Sequence, residues 1–170
     1  MALRTIVTEG DSVLHKHCRP VTSFDGRLHE LIDDMRETLL EADGVGLAAP
    51  QVGVLRRVVL VLETNVPEGG EPYIIELVNP EITACEGGQT GPEGCLSVPG
   101  RFGLVTRPMT VTVRAQDRDG KAFELSGTGI TARAFCHEVD HLDGIMFTEL
   151  ASRMLTDEEL ETGSWQEDAE

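Results

Sequence analysis

His137, Glu138 and His141, in the run HEVDH over 137–141, carry the strongest chemical signal in the chain. On a helix, the i, i+4 spacing sets both imidazoles on one face, one turn apart, within reach of one metal ion. Glu138, beside the first histidine, is placed to act as general base toward a water activated by that ion. Such a site needs a third ligand. His15, His17 and His29 all stand near the N-terminus, and no histidine follows the motif. Two sources stay open. One is a downstream glutamate, for which Glu158, Glu159 and Glu161 are available. The other is Cys95, in TGPEGCLSVPG over 90–100, where glycines and prolines predict an exposed loop of specified backbone shape. Two imidazoles, one thiolate and an open position make a catalytic centre rather than a structural one, and this soft set suits Zn²⁺ or Fe²⁺ over Mg²⁺ or Ca²⁺.

Several elements must position these groups. ITARAFCHEVDHLDG (130–144) has helical period and closes on Gly144. Ile130, Ala134, His137 and His141 share one of its faces, while Phe135, Val139 and Leu142 pack elsewhere, so the metal helix is expected to be buried. In RLHELIDDMRETLLEAD (27–43), Leu28, Leu31, Ile32, Met35 and Leu39 form one apolar stripe, with Gly44 expected as its left-handed cap. RRVVLVLE (56–63) and YIIELVN (73–79) read as strands. MTVTVRAQD (109–117) and KAFELSG (121–127) read as a hairpin around RDG. These elements predict an α+β fold of mostly antiparallel sheets around a buried central metal-binding helix. Residues 1–150 are expected to form one catalytic domain. Residues 151–170 are expected to be an acidic extension that begins as a short helix and then frays.

The glycine-rich stretch GVGLAAPQ (44–51) contains a G-x-G-x-x-A string, the fingerprint of a dinucleotide-binding turn. That turn must follow a strand and open a helix. Here the string follows a helix and runs into Pro50, so the context excludes it. Gly46 reads instead as a place where backbone must approach a ligand closely, and Gln51 as the one polar side chain this loop delivers.

The chain has 170 residues, 40% of them hydrophobic and 4% aromatic, enough for one aliphatic core. A formal net charge of −16 argues against binding DNA or anionic lipid, both of which need a cationic surface. The N-terminus lacks an apolar signal region and no run approaches membrane-spanning length, so a cytoplasmic protein is expected. Four scattered cysteines fit thiols or ligands rather than a disulfide scaffold.

With these pieces located, the chain resembles the peptide deformylases. That family carries G-φ-G-φ-A-A-x-Q, E-G-C-φ-S and H-E-x-D-H in this order, where φ is apolar. All three occur here, as GVGLAAPQ (44–51), EGCLS (93–97) and HEVDH (137–141). The resemblance spans residues 3 to 150. It implies removal of the N-formyl group from formyl-methionine of newly made polypeptides. It implies Cys95, His137 and His141 as ligands of one divalent metal, usually Fe²⁺, with Zn²⁺ or Ni²⁺ able to take its place. Glu138 would be the general acid and base, with the Gln51 amide and the Leu96 N–H holding the oxyanion. Val45, Gly46 and Leu47 would lie against an extended substrate, and the methionine pocket would be lined near Val45, Arg133 and Ala134. For Arg133 a structural role, its stem packed and its head paired with an acid, stands level with that one. Glu93 and Arg107 would form an ion pair behind the Cys95 loop. Two features depart from the family. Cys136 stands where Gln is common, and the tail after Thr156 has acids but no Lys or Arg, which weakens any ribosome contact through a basic C-terminal helix.

Overall fold

The structure, a computed structural model, describes residues 2–165. Helix α1 (Gly26–Ala42) starts where the Asp25 carboxylate accepts the Leu28 N–H, and its stripe from Leu28 to Leu39 is buried as the periodicity predicts. The left-handed cap falls on Asp43 (φ 55°), not on Gly44 as expected. Asp tolerates that conformation because its short polar side chain can bond locally. Gly44 is small for another reason: a Cβ there would lie 2.9 Å from Leu96 Cδ1.

Strand β1 (Gly46–Ala48), a 3-10 turn at Ala49–Val52, β2 (Val58–Glu63) and β3 (Tyr73–Glu86) follow. Next come β4 (Gln89–Cys95), β5 (Val98–Arg107), β6 (Thr110–Gln116) and β7 (Ala122–Thr128). Five strands form one antiparallel sheet in the order β1-β2-β3-β6-β7, while β4 and β5 pair separately. The expected β6–β7 hairpin is present, with Gln116 opposite Ala122. β3 runs seven residues past the expected end at Asn79. Asn79 (φ 51°) and a register shift between Val78 and Glu81 let the strand pass Pro80, which has no N–H to give the ladder.

The exposed loop expected around Cys95 is instead the tip of the β4–β5 hairpin. Its glycines serve close packing. A Cβ at Gly94 would meet the Phe102 ring at 2.5 Å, and one at Gly103 would meet Ala151 Cβ at 2.7 Å. The Gly and Pro content that reads as a loop in sequence is here the condition for a tightly covered hairpin.

Strand β2 is apolar at every position from Val58 to Leu62 because it is covered on both faces. Val59 and Val61 pack toward helix α2 (Ile130–Leu142) with Leu77, Val111 and Phe135, while Val58 and Leu60 pack toward α1 with Leu47 and Met35. A third cluster, Leu14, Val98, Val105, Met146 and Phe147, underlies the hairpin and includes the first residue of α3 (Phe147–Leu150). Helix α2 therefore lies between the large sheet and the hairpin, in contact with both. Residues 152–155 run along β5 through Ser152 N–H to Leu104 O and Leu155 N–H to Phe102 O. Helix α4 (Asp157–Thr162) follows, capped by Thr156. Residues 166–170 of the expected fraying tail lie outside the described residues. No helix among the described residues is long and apolar enough to cross a membrane.

Candidate metal centre and substrate cavity

Helix α2 carries His137 and His141 on the face turned to the hairpin tip, and their Nε2 atoms stand 3.1 Å apart. Cys95 Sγ, delivered by the end of β4, lies 3.3 Å from His141 Nε2. The three potential ligand atoms fall within 4.8 Å of one another, and both histidines are buried. Of the two sources weighed for a third ligand, the structure brings Cys95 beside the histidines. Glu159, in α4, is instead a bidentate partner of Arg153 at 2.8 Å, with the Thr156 N–H donating to it as well.

The donor set fits a soft divalent ion. His137 Nδ1 meets Glu93 Oε2 at 2.7 Å, which places the ring proton on Nδ1 and turns the Nε2 lone pair into the site. His141 is held neutral: burial lowers its basicity and the neighbouring His137 lowers it further. Two buried polar atoms near this point, Glu138 Oε1 and His141 Nδ1, have no hydrogen-bond partner among the described residues.

Glu93 is the hub behind the ligands. Arg107 donates to both its oxygens at 3.0 and 2.7 Å, and Arg133 Nη1 donates to Oε1 at 3.0 Å. Arg107 also reaches Asp140 of the HEVDH run at 2.7 Å. Burial alone would raise the Glu93 carboxyl, but hydrogen bonds from His137 and Arg107 outweigh it and hold it at about 2. The expected Glu93–Arg107 pair is thus present. Sequence reasoning missed its extension to His137 and left the acid paired with Arg133 unnamed, because contacts between a hairpin and a helix leave no periodic trace.

Glu138 has the opposite environment. Burial pushes its carboxyl up to about 7, against the attraction of His137. Its carboxylate lies directly against Gly46, where any Cβ would overlap it. Gly46 is therefore a point of close approach, but to the Glu138 side chain, where the sequence reading expects a ligand. Gln51, in the 3-10 turn, is buried; its Oε1 accepts the Ala48 N–H at 2.9 Å. That bond aims Nε2 at Cys95 Sγ (3.3 Å) and Ser97 Oγ (3.1 Å). Ser97, absent from the sequence reading as a site residue, also gives its N–H to Cys95 Sγ at 3.4 Å.

A cavity of about 520 Å³ opens beside these atoms, bordered by Val45 and Gly46, the hairpin tip from Pro92 to Phe102, and Ile130, Arg133 and Ala134 of α2. Leu96 lines it and Ile130, at the helix start, is exposed at its rim. The Leu47 side chain does not reach the cavity; it is fully buried against the α1 stripe, leaving only its backbone on β1. Arg133 borders the cavity, and its head pairs with an acid, Glu93, as the structural reading expects.

Two imidazoles and a thiolate beside an open cavity leave a position for water and substrate, which defines an α+β metallohydrolase rather than a structural metal site. The chain belongs to the polypeptide deformylase family, whose profile, described as "Polypeptide deformylase", matches residues 3–156. It is 52% identical over 161 residues to a peptide deformylase of Caldicellulosiruptor bescii, covering 95% of this chain and 93% of that one. A crystal structure of a peptide deformylase from Legionella pneumophila matches with a TM-score of 0.82 and 44% identity, over 89% of this chain and 87% of that one. A Met-Ala-Ser-bound class I type b peptide deformylase from Acinetobacter baumannii matches with a TM-score of 0.81 and 36% identity, over 88% and 98% of the two chains. The chain is accordingly a metal-dependent enzyme that removes the N-formyl group from newly made polypeptides.

Proposed function

We propose that Cys95, His137 and His141 hold one divalent ion, Fe²⁺ by preference with Zn²⁺ or Ni²⁺ as substitutes, and that formyl-methionyl chains bind in the adjoining cavity. The observation that carries this is the convergence of Sγ and two Nε2 atoms within 4.8 Å beside Glu138 and Gln51. When bound, the ion supplies Lewis-acid activation of water at neutral pH. Glu138 takes a proton as water adds to the formyl carbon and returns it to the leaving amine nitrogen, releasing formate; a carboxyl near 7 is matched to that exchange. Gln51 Nε2 and the Leu96 N–H donate to the formyl oxygen as it becomes negative. The chain of the substrate lies extended against Val45, Gly46 and the Leu47 backbone, adding a strand beside β1. Its first side chain enters between Val45, Arg133 and Ala134. The Met-Ala-Ser complex of the A. baumannii relative supports a peptide of this kind as ligand.

The acidic charge supports an enzyme that meets nascent chains without binding DNA, and leaves little electrostatic basis for a ribosome contact through the tail; acting on newly made chains, it is proposed to work in the cytoplasm. Hydrolysis of formyl-Met-Ala-Ser by protein loaded with Fe²⁺ or Ni²⁺, with metal content measured on the same sample, tests the reading. Turnover with one ion per chain is expected. No turnover with the ion bound would make this a metal-holding binding module. Cys95→Ala is expected to lose the ion, and full retention would remove Cys95 from the ligand set.

A further inference from the structure

Arg133 is 13% exposed at its side chain, yet its guanidinium is not fully committed. Nη1 donates to Glu93 Oε1 at 3.0 Å and to Val105 O at 2.9 Å, and Nη2 reaches Gln89 O at 3.5 Å. Its Nε–H has no partner among the described residues, and Nε is not among the sealed unpartnered atoms. The second Nη2 hydrogen is likewise unclaimed. Arg133 borders the substrate cavity. The negative charge alongside is already used: both Glu93 oxygens accept from Arg107, Arg133 or His137. The polar group that Arg133 adds to the cavity wall is therefore a donor, not an acceptor.

We infer that Arg133 makes the first side-chain pocket read a hydrogen-bond acceptor at the end of an unbranched chain, so that it takes formyl-methionine sulfoxide as well as formyl-methionine. This rests on the proposed binding of the first side chain between Val45, Arg133 and Ala134. A thioether sulfur is a weak acceptor and a sulfoxide oxygen a strong one, while norleucine has the same length and no acceptor. A pocket of hydrocarbon alone would strip the sulfoxide of water without replacing its hydrogen bond and would reject it. With a guanidinium N–H in reach, the oxidised side chain finds a charged donor. The enzyme would then process chains whose first methionine has been oxidised, a substrate class that an apolar pocket excludes.

The test compares kcat/KM for formyl-Met-Ala-Ser, its norleucine analogue and its methionine-sulfoxide analogue, in metal-loaded wild type and Arg133→Met. In wild type the sulfoxide peptide is expected to match or exceed the norleucine peptide. In Arg133→Met the sulfoxide-to-norleucine ratio is expected to fall about ten- to hundredfold, the range of a hydrogen bond to a charged donor. An unchanged ratio in the loaded variant overturns the inference. So does a wild type that discriminates tenfold or more against the sulfoxide, a comparison that decides the matter even if the variant does not fold. Wild-type failure on formyl-Met-Ala-Ser itself overturns the deformylase reading instead, and is recognised by the loss of all three rates together.

Discussion

Two buried carboxylates on either side of His137 are driven apart by their surroundings. Glu93, with two guanidiniums and an imidazole N–H on it, is fixed as an anion that orients the His137 ring. Glu138, buried with one oxygen unpartnered, is left able to exchange a proton near neutrality. Environment rather than residue type thus suits one acid to holding and the other to the proton transfer proposed for it. Glu138→Gln keeps the volume against Gly46 and removes the exchangeable proton. It is expected to retain metal at one ion per chain while kcat on formyl-Met-Ala-Ser falls by about 10²–10⁴, the usual span of general acid–base catalysis. An undiminished kcat would take Glu138 out of the proton path.

At the scale of elements, the site is a junction between the β4–β5 hairpin and helix α2, closed by the 3-10 turn that carries Gln51. Arg107 is the tie: it starts at the end of β5 and binds Glu93 on β4 and Asp140 on α2. Removing one member of a buried ion cluster strands its partners, so Arg107→Met is expected to destabilise the fold by about 3–5 kcal/mol. Urea denaturation of wild type and variant checks this, and a loss below 1 kcal/mol would mean Arg133 alone suffices to hold Glu93. The helix α1, the α2 motif and the β6–β7 hairpin were legible in the sequence because each repeats a local period, 3.6 or 2. The β4–β5 hairpin was not, since Gly91, Pro92, Gly94, Pro99 and Gly100 mimic a loop and only pairing between the two strands reveals them as a hairpin. That Cys95, His137 and His141 come together was legible by spacing and motif. Ser97 behind Gln51, and Glu93 as the acid that pairs with Arg133, were not, because those bonds join positions 46 and 40 residues apart.

For the molecule as a whole, the proposed ligands divide the fold: one comes from the small sheet and two from the helix that backs the large one. An ion shared by them is a cross-link between these parts, and anything that binds the native chain alone stabilises it by mass action. At a free-ion concentration a hundred times the Kd this amounts to about 2.7 kcal/mol. For a chain of this size that corresponds to a Tm difference of roughly 5–10 °C. Chelation is therefore expected to lower Tm by that amount in a calorimetric scan. The loss should also be localised. Amides of the hairpin tip around Cys95 and Ser97 and of the His137–His141 turn should exchange faster after chelation, since the ion adds a further link between them beside the Arg107 tie. The β6–β7 strands, paired along their length from Thr110–Thr128 to Gln116–Ala122, hold no ligand and should keep their protection. A uniform rise in exchange across both regions would show the ion acting on global stability alone, and an unchanged hairpin would mean that the Glu93–Arg107–Asp140 cluster already locks the junction without it.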